Sequence, residues 1–183
     1  MKSFKKIIHD GGVAVMRTDT LYGLVADAKN QISVGRIYSI KKRNPLKPVI
    51  VLVSNVDQIR SFGVSINHEL ETLLNNYWPG KVSIILSPTN PSLHTHYIHK
   101  GTGGIAFRVP NNSELRAILD DVGPLVAPSA NPEGLPPAEN IQQAIDYFGD
   151  VVDCYIDGGD VVDTKPSKII KILNNRVKEI IRK

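Results

Sequence analysis

Cysteine is almost missing from this chain: Cys154 is the only one among 183 residues. A single thiol excludes an internal disulfide and any zinc site built on cysteines. Long apolar runs are missing too, and nothing approaches the roughly 18 consecutive apolar residues of a membrane span. The opening stretch Met1-Lys2-Ser3-Phe4-Lys5-Lys6-Ile7-Ile8 carries no apolar secretory core. The expectation is a cytoplasmic location with no membrane partner. Several catalytic signatures are absent as well. Gly80-Lys81 is followed by Val82 and has no upstream glycine, so there is no P-loop cradle. No Gly-x-Ser-x-Gly elbow occurs. His94, His96 and His99 lie close enough to suggest zinc, but they fall in what reads as a long polar loop. No neighbouring cysteine or carboxylate completes a ligand set there.

What is present is ordinary for a globular domain, with 42% hydrophobic and 22% charged residues. The formal net charge is +4 and the pI is near 9.1, which suits a polyanionic ligand or simply a solvated basic surface. Short apolar segments alternate along the chain. Helices are expected over 3–9, 31–42, 67–77, 112–121 and 139–148, and strands over 13–16, 49–53, 82–86, 105–109, 125–127 and 155–156. Residues 169–173 and 177–181 flank Asn174-Asn175, and asparagine tolerates positive φ, so the segment predicts a C-terminal hairpin. The alternation predicts an α/β fold with a mixed sheet and an antiparallel tail, one domain over 1–183.

The polar residues cluster where strands and helices end. Arg17-Thr18-Asp19-Thr20 closes an apolar run, and in extended chain Thr18 and Thr20 share a face while Asp19 points away. Two hydroxyls at a strand exit make either a turn or a small polar reader of a ligand. Residues 40–48, IKKRNPLKP, place Lys41, Lys42, Arg43 and Lys47 at a helix exit. Pro45 biases Asn44 out of the helix, and the unwinding lets Lys41 and Arg43 reach one anion. The alternative is that these cations only complement the helix dipole. Arg108 lies amid apolar neighbours and needs an anionic partner, either an internal carboxylate or a ligand. Ser129 and Asn131 follow the strand at 125–127 and can cap, turn or bind.

Taken in order, these segments resemble the YrdC-like family, the threonylcarbamoyl-AMP synthases. RTDTLYGL is similar to the family's Pro-Thr-Asp-Thr-x-Tyr-Gly-Leu, and IYSIKKRNPLKP to its Lys-x-Arg-Pro signature. WPGKVSIIL resembles Trp-Pro-Gly-Pro-x-Thr-x-x-Leu, GTGGIAFRVP the Arg-x-Pro strand, APSANPEGLPP the Ser-Ala-Asn-x-Ser-Gly segment, and KPSKIIKI the Pro-Ser-x-Ile segment. The match runs over nearly the whole chain and looks like the single-domain form. Four positions depart from the pattern: Arg17 and Lys81 replace prolines, Ser83 a threonine, and Glu133 a serine.

The resemblance implies an open twisted mixed sheet flanked by helices and a nucleotidyltransferase activity. L-Threonine, bicarbonate (or carbon dioxide) and ATP would give threonylcarbamoyl-AMP and pyrophosphate, for the threonylcarbamoyladenosine modification of transfer RNA. It implies catalytic Lys41 and Arg43, and nucleotide binding by these two with Lys47, Ser129, Asn131 and Ser167. The threonine site would comprise Thr18, Thr20, Tyr22, Ser83 and Arg108. Magnesium (Mg2+) is expected to arrive with ATP, and a threonylcarbamoyl transferase to take the product. Two other readings stay open. One is a double-stranded RNA or tRNA-binding module using the basic face around 41–47. The other is a carbamoyl-transfer domain of the same fold, as in hydrogenase-maturation proteins.

Overall fold

Apolar residues in the strands alternate between two faces, and each face packs under its own layer of helices. The computed structural model describes residues 3–89, 95–162, 165–173 and 176–182. Among these, nine strands form one sheet: β1 (Ala14–Arg17), β2 (Tyr22–Asp27), β3 (Ile50–Leu52), β4 (Val82–Leu86), β5 (Ile105–Arg108), β6 (Leu125–Val126), β7 (Cys154–Ile156), β8 (Lys168–Leu173) and β9 (Arg176–Arg182). Their order is β7-β1-β2-β6-β3-β5-β4-β8-β9. The pairs β1–β7, β3–β5 and β4–β8 are parallel and the others antiparallel, so the sheet is mixed. The terminal β8–β9 pair is the expected hairpin, although its Asn174-Asn175 turn lies outside the described residues.

Val13, Val15, Tyr22, Leu24, Val51, Val53, Ile105 and Phe107 belong to one core, which extends to buried residues of α2 (Gln31–Lys41), α3 (Val56–Arg60), α4 (His68–Asn75), α5 (His96–His99) and α7 (Ile141–Phe148). Their sequence neighbours Ala14, Met16, Val25, Leu52 and Leu125 belong to the other, beneath α1 (Phe4–His9) and α6 (Ser113–Val122). Period-2 side-chain direction is what splits the cores. Among the described residues no helix is long and apolar enough to cross a membrane.

Asparagine starts most of the helices. Asn30, Asn55, Asn67, Asn112 and Asn140 each accept a hydrogen bond from a first-turn N–H, satisfying donors that have no intrahelical partner. The other end of α2 matters more for the site. Lys42 takes the left-handed conformation (φ 51°, ψ 39°), and the Arg43 N–H turns back to Tyr38 O at 2.9 Å. The helix therefore stops at Lys41 and the chain unwinds through Asn44-Pro45, as the proline predicts.

Three segments differ from the sequence expectation, the first being the five-residue helix α3, which was not expected. Residues 22–27 form β2, which is buried on both faces and so shows no alternation to read. The polar stretch around the histidines contains α5, a single helical turn that buries Ile98 and corrects the long loop expected there.

Asn140→Ala is expected to lower stability by about 1 kcal/mol, the usual weight of an N-cap, as read from urea denaturation. A change below a few tenths of that would show that solvent replaces the cap at α7.

Candidate active site

A cavity of about 460 Å³ opens where β1, β5 and β6 end and where β2, β3 and β8 begin. Thr18, Thr20, Tyr22, Arg43, Arg108, Ser129 and Ser167 all line it. Four prolines, Pro48, Pro128, Pro137 and Pro166, line it too, each with its φ locked by the ring. Sequence reasoning missed this stiff rim, although Pro48, Pro128 and Pro166 each stand beside a residue it singled out. Among the described residues, none of the lining positions lies in the first turn of a helix.

The Thr18–Leu21 segment is both turn and wall. Thr18 Oγ1 donates to Leu21 O at 2.7 Å and accepts from the N–H groups of Thr20 and Leu21 at 3.2 and 3.3 Å. Thr20 Oγ1 lies 3.2 Å from Thr18 Oγ1, so the hydroxyls do share a face. Asp19 points to the far side of the turn, where it lines a second cavity. Its carboxylate still reaches Arg108, with Nη2 and Oδ1 2.9 Å apart and both side chains almost wholly buried. The same Nη2 donates to Thr20 Oγ1 at 3.3 Å. The anionic partner that Arg108 required is therefore internal. Asp19 was not singled out for this role, because pairing between distant strand ends leaves no local pattern.

Lys41 lies behind the cavity rather than facing it. Its side chain is 1% exposed, and the ammonium donates to Ser129 O and Asn131 O at 2.5 Å each and to Asn131 Oδ1 at 3.3 Å. Burial, together with the Arg43 charge, lowers its pKa to about 8, while Glu133 opposes the shift. Asn131 accepts from Ser129 Oγ at 2.6 Å and donates to Pro132 O and Leu135 O, so it shapes the strand exit. Arg43 does face the cavity. Its Nη2 donates to Pro48 O at 2.8 Å, whereas its Nε is buried with no hydrogen-bond partner among the described residues. An orphaned guanidinium N–H beside a cavity is a donor awaiting an acceptor.

The remaining expected residues are placed differently. Tyr22 O–H accepts from the Gly158 N–H at 2.9 Å and lies 2.9 Å from Gly159 O and 3.2 Å from Asp157 Oδ1. It thus binds the loop after β7 to the cavity wall, and burial raises its pKa. Arg17, one of the four departures, donates to Gly158 O at 2.8 Å. A Cβ on Gly158 would lie 2.6 Å from Arg17 Cβ, so only glycine allows this approach. Ser83 is fully buried outside the cavity lining, and its hydroxyl meets that of Ser167 at 2.9 Å. Lys47 is not among the lining residues and pairs with Glu133. His96 and His99 stack edge to face at 5.4 Å, and His94 lies outside the described residues. Among the described residues no three side chains gather as a metal site.

Comparison with known proteins places this arrangement in a lineage. A threonylcarbamoyl-AMP synthase of Marinobacter nauticus is 32% identical over 167 residues, covering 91% of this chain and 87% of that protein. Pyrococcus abyssi Sua5, in a crystal structure complexed with L-threonine, superposes with a TM-score of 0.83 at 27% identity over 92% of this chain. The present chain spans 49% of that protein, about half its length. Escherichia coli YciO, at 22% identity and a TM-score of 0.82, covers 97% of this chain and 85% of its own and shares the fold. The Sua5/YciO/YrdC family model, described as telomere recombination, matches residues 6–183. On the order of its motifs, its sheet and the extent of that match, the chain belongs to the Sua5/YciO/YrdC family.

Proposed function

We propose that the protein is a threonylcarbamoyl-AMP synthase of the cytoplasm, acting through one domain over 1–183. The observation that carries this reading is the gathering of two guanidinium groups, Arg43 and Arg108, and five hydroxyl-bearing residues in one cavity. The reaction forms a new bond between a carboxylate oxygen and a phosphorus. The threonine amine first adds to carbon dioxide with release of a proton, or to bicarbonate with loss of water, and becomes an N-carboxylate. That carboxylate attacks the α-phosphorus of ATP, and the bond to pyrophosphate breaks. Such a transfer needs positioning and charge neutralisation more than a protein nucleophile.

Arg43 meets the phosphates through the guanidinium it turns to the cavity and offsets charge developing in the transition state. Lys41 supplies positive charge from behind Ser129 and fixes the Ser129–Asn131 exit on which the nucleotide rests. Ser167, backed by Ser83, offers a hydroxyl from the opposite wall. Arg108 and Thr20 hold the threonine carboxylate, with Thr18 closing the turn beside it. Tyr22 keeps the wall in place through Gly158. Asp19 is committed to Arg108 and Glu133 to Lys47, and among the described residues no carboxylate lines the cavity to hold a resident magnesium ion. Magnesium enters with the nucleotide, held through phosphate oxygens.

Incubation with ATP, magnesium, bicarbonate and threonine should release pyrophosphate, and omission of any one of them should stop it. Release without threonine would overturn the reading. Arg43→Ala should slow the release by about a hundredfold with the melting temperature unchanged. Lys41→Ala should do the same and also lower the melting temperature, because two buried carbonyls lose their donor.

Arg108→Ala should raise the KM for threonine far more than that for ATP. Equal effects on both substrates would remove Arg108 from the threonine site.

The Lys41 ammonium is charged below pH 8 and neutral above it. ATP affinity is therefore expected to hold below that pH and to fall by a few-fold above it, because a positive charge behind the Ser129–Asn131 exit is lost. Titration of ATP on either side of pH 8 measures this, and a flat profile would show that Lys41 keeps its proton or is not needed.

A further inference from the structure

Glu133 stands where the similar family carries serine, directly after Asn131-Pro132. Its N–H donates to Lys41 O at 2.8 Å, which fixes its backbone against the end of α2. From there the carboxylate spans two donors of the following turn: one oxygen accepts from the Asn44 N–H, and the other receives the Lys47 ammonium. The Lys47 and Asn44 bonds, aided by the Arg43 charge, hold the carboxyl below its ordinary range, so it is ionised at neutral pH.

The turn does not need this carboxylate for its shape. Tyr38 O–H donates to Lys47 O at 2.5 Å, the Leu46 N–H to Asn44 Oδ1 at 2.9 Å, and the Lys47 N–H to Asn44 O at 3.1 Å. Glu133 is an occupant of the turn rather than its builder. A backbone N–H and an ammonium converging on two oxygens of one anion are also the donor set of a phosphate. The seat follows Arg43 directly in the chain, and Arg43 carries the unpartnered Nε at the cavity.

We propose that Glu133 is a specificity-determining residue of the nucleotide site: its carboxylate holds the seat formed by the Asn44 N–H and the Lys47 ammonium, and the outer phosphates of a nucleoside triphosphate displace it on binding. The inference rests on the nucleotide reading of the cavity and adds an internal competitor to it. The exchange breaks no covalent bond. Lys47 trades a carboxylate for a phosphate, and the freed carboxylate turns to solvent. Only ligands whose phosphates reach the seat meet this competition, so Glu133 weakens ATP binding and leaves AMP binding alone.

Calorimetric titration of the full chain with magnesium-ATP, AMP and inorganic tripolyphosphate tests the exchange in wild type, Glu133→Gln and Glu133→Ser, with melting temperatures confirming the fold. ATP and tripolyphosphate should bind both variants about three- to tenfold more tightly, the range of an exposed ion pair, while AMP is unchanged. Adding Lys47→Ala to Glu133→Gln should abolish the gain. ATP and tripolyphosphate binding that is unchanged or weaker in the variants would overturn the proposal, as would equal tightening of AMP, which marks a general field effect. Tripolyphosphate binding with this Glu133 dependence but without ATP binding would keep the seat and remove the nucleotide reading.

Discussion

The buried ammonium of Lys41 joins the end of the helix that carries the cations to the end of the strand that carries the hydroxyls. Three acceptors from Ser129 and Asn131 surround it, so a charge that would be costly in an apolar interior is held by aligned carbonyl dipoles. The contact fixes where Arg43 leaves the helix and where Ser129 enters the cavity. With the Glu133 N–H bond to Lys41 O, it ties the basic loop to the serine-asparagine exit. Asn131 reinforces the arrangement through Pro132 O and Leu135 O, which shape the next loop.

A second buried charge sets the opposite wall. Arg108 and Asp19 are both nearly inaccessible, and removing either would leave the other uncompensated, a change that commonly costs about 3–5 kcal/mol. The pair is also asymmetric in its use of space. Asp19 belongs to the far side of the turn and Arg108 to the near side, so a positive charge is presented to the cavity while its counter-ion stays behind the wall. A small carboxylate approaching from the cavity meets the guanidinium and the Thr20 hydroxyl together.

Much of the fold was legible because it obeys local rules. Short continuous apolar runs mark β1, β3 and β5, asparagines mark the helix starts, and Pro45 marks the unwinding of α2. What was not legible depends on distant partners or on short length. Residues 22–27 follow directly on a polar turn and hold only the short apolar run Leu24 to Ala26, and α5 is a single turn. The clustering of Thr18, Thr20, Arg43, Arg108, Ser129 and Ser167 follows from motif order in the resemblance and is met by one cavity. The sequence could not give the pairing of Lys47 with Glu133 or of Arg108 with Asp19, nor the position of Ser83 behind Ser167. Each depends on where loops meet after the sheet has formed.

The cavity is ringed by strand ends, loops and the finish of one helix, with no helix beginning aimed into it among the described residues. Main-chain dipoles of a helix start, the usual fixed source of positive potential for phosphates, contribute nothing to its lining. Nearly all of its pull on anions therefore comes from discrete side chains on a frame stiffened by proline. Single replacements can redraw its electrostatic landscape while the sheet stays as it is, so ligand preference in this scaffold can drift through surface chemistry without any change of architecture.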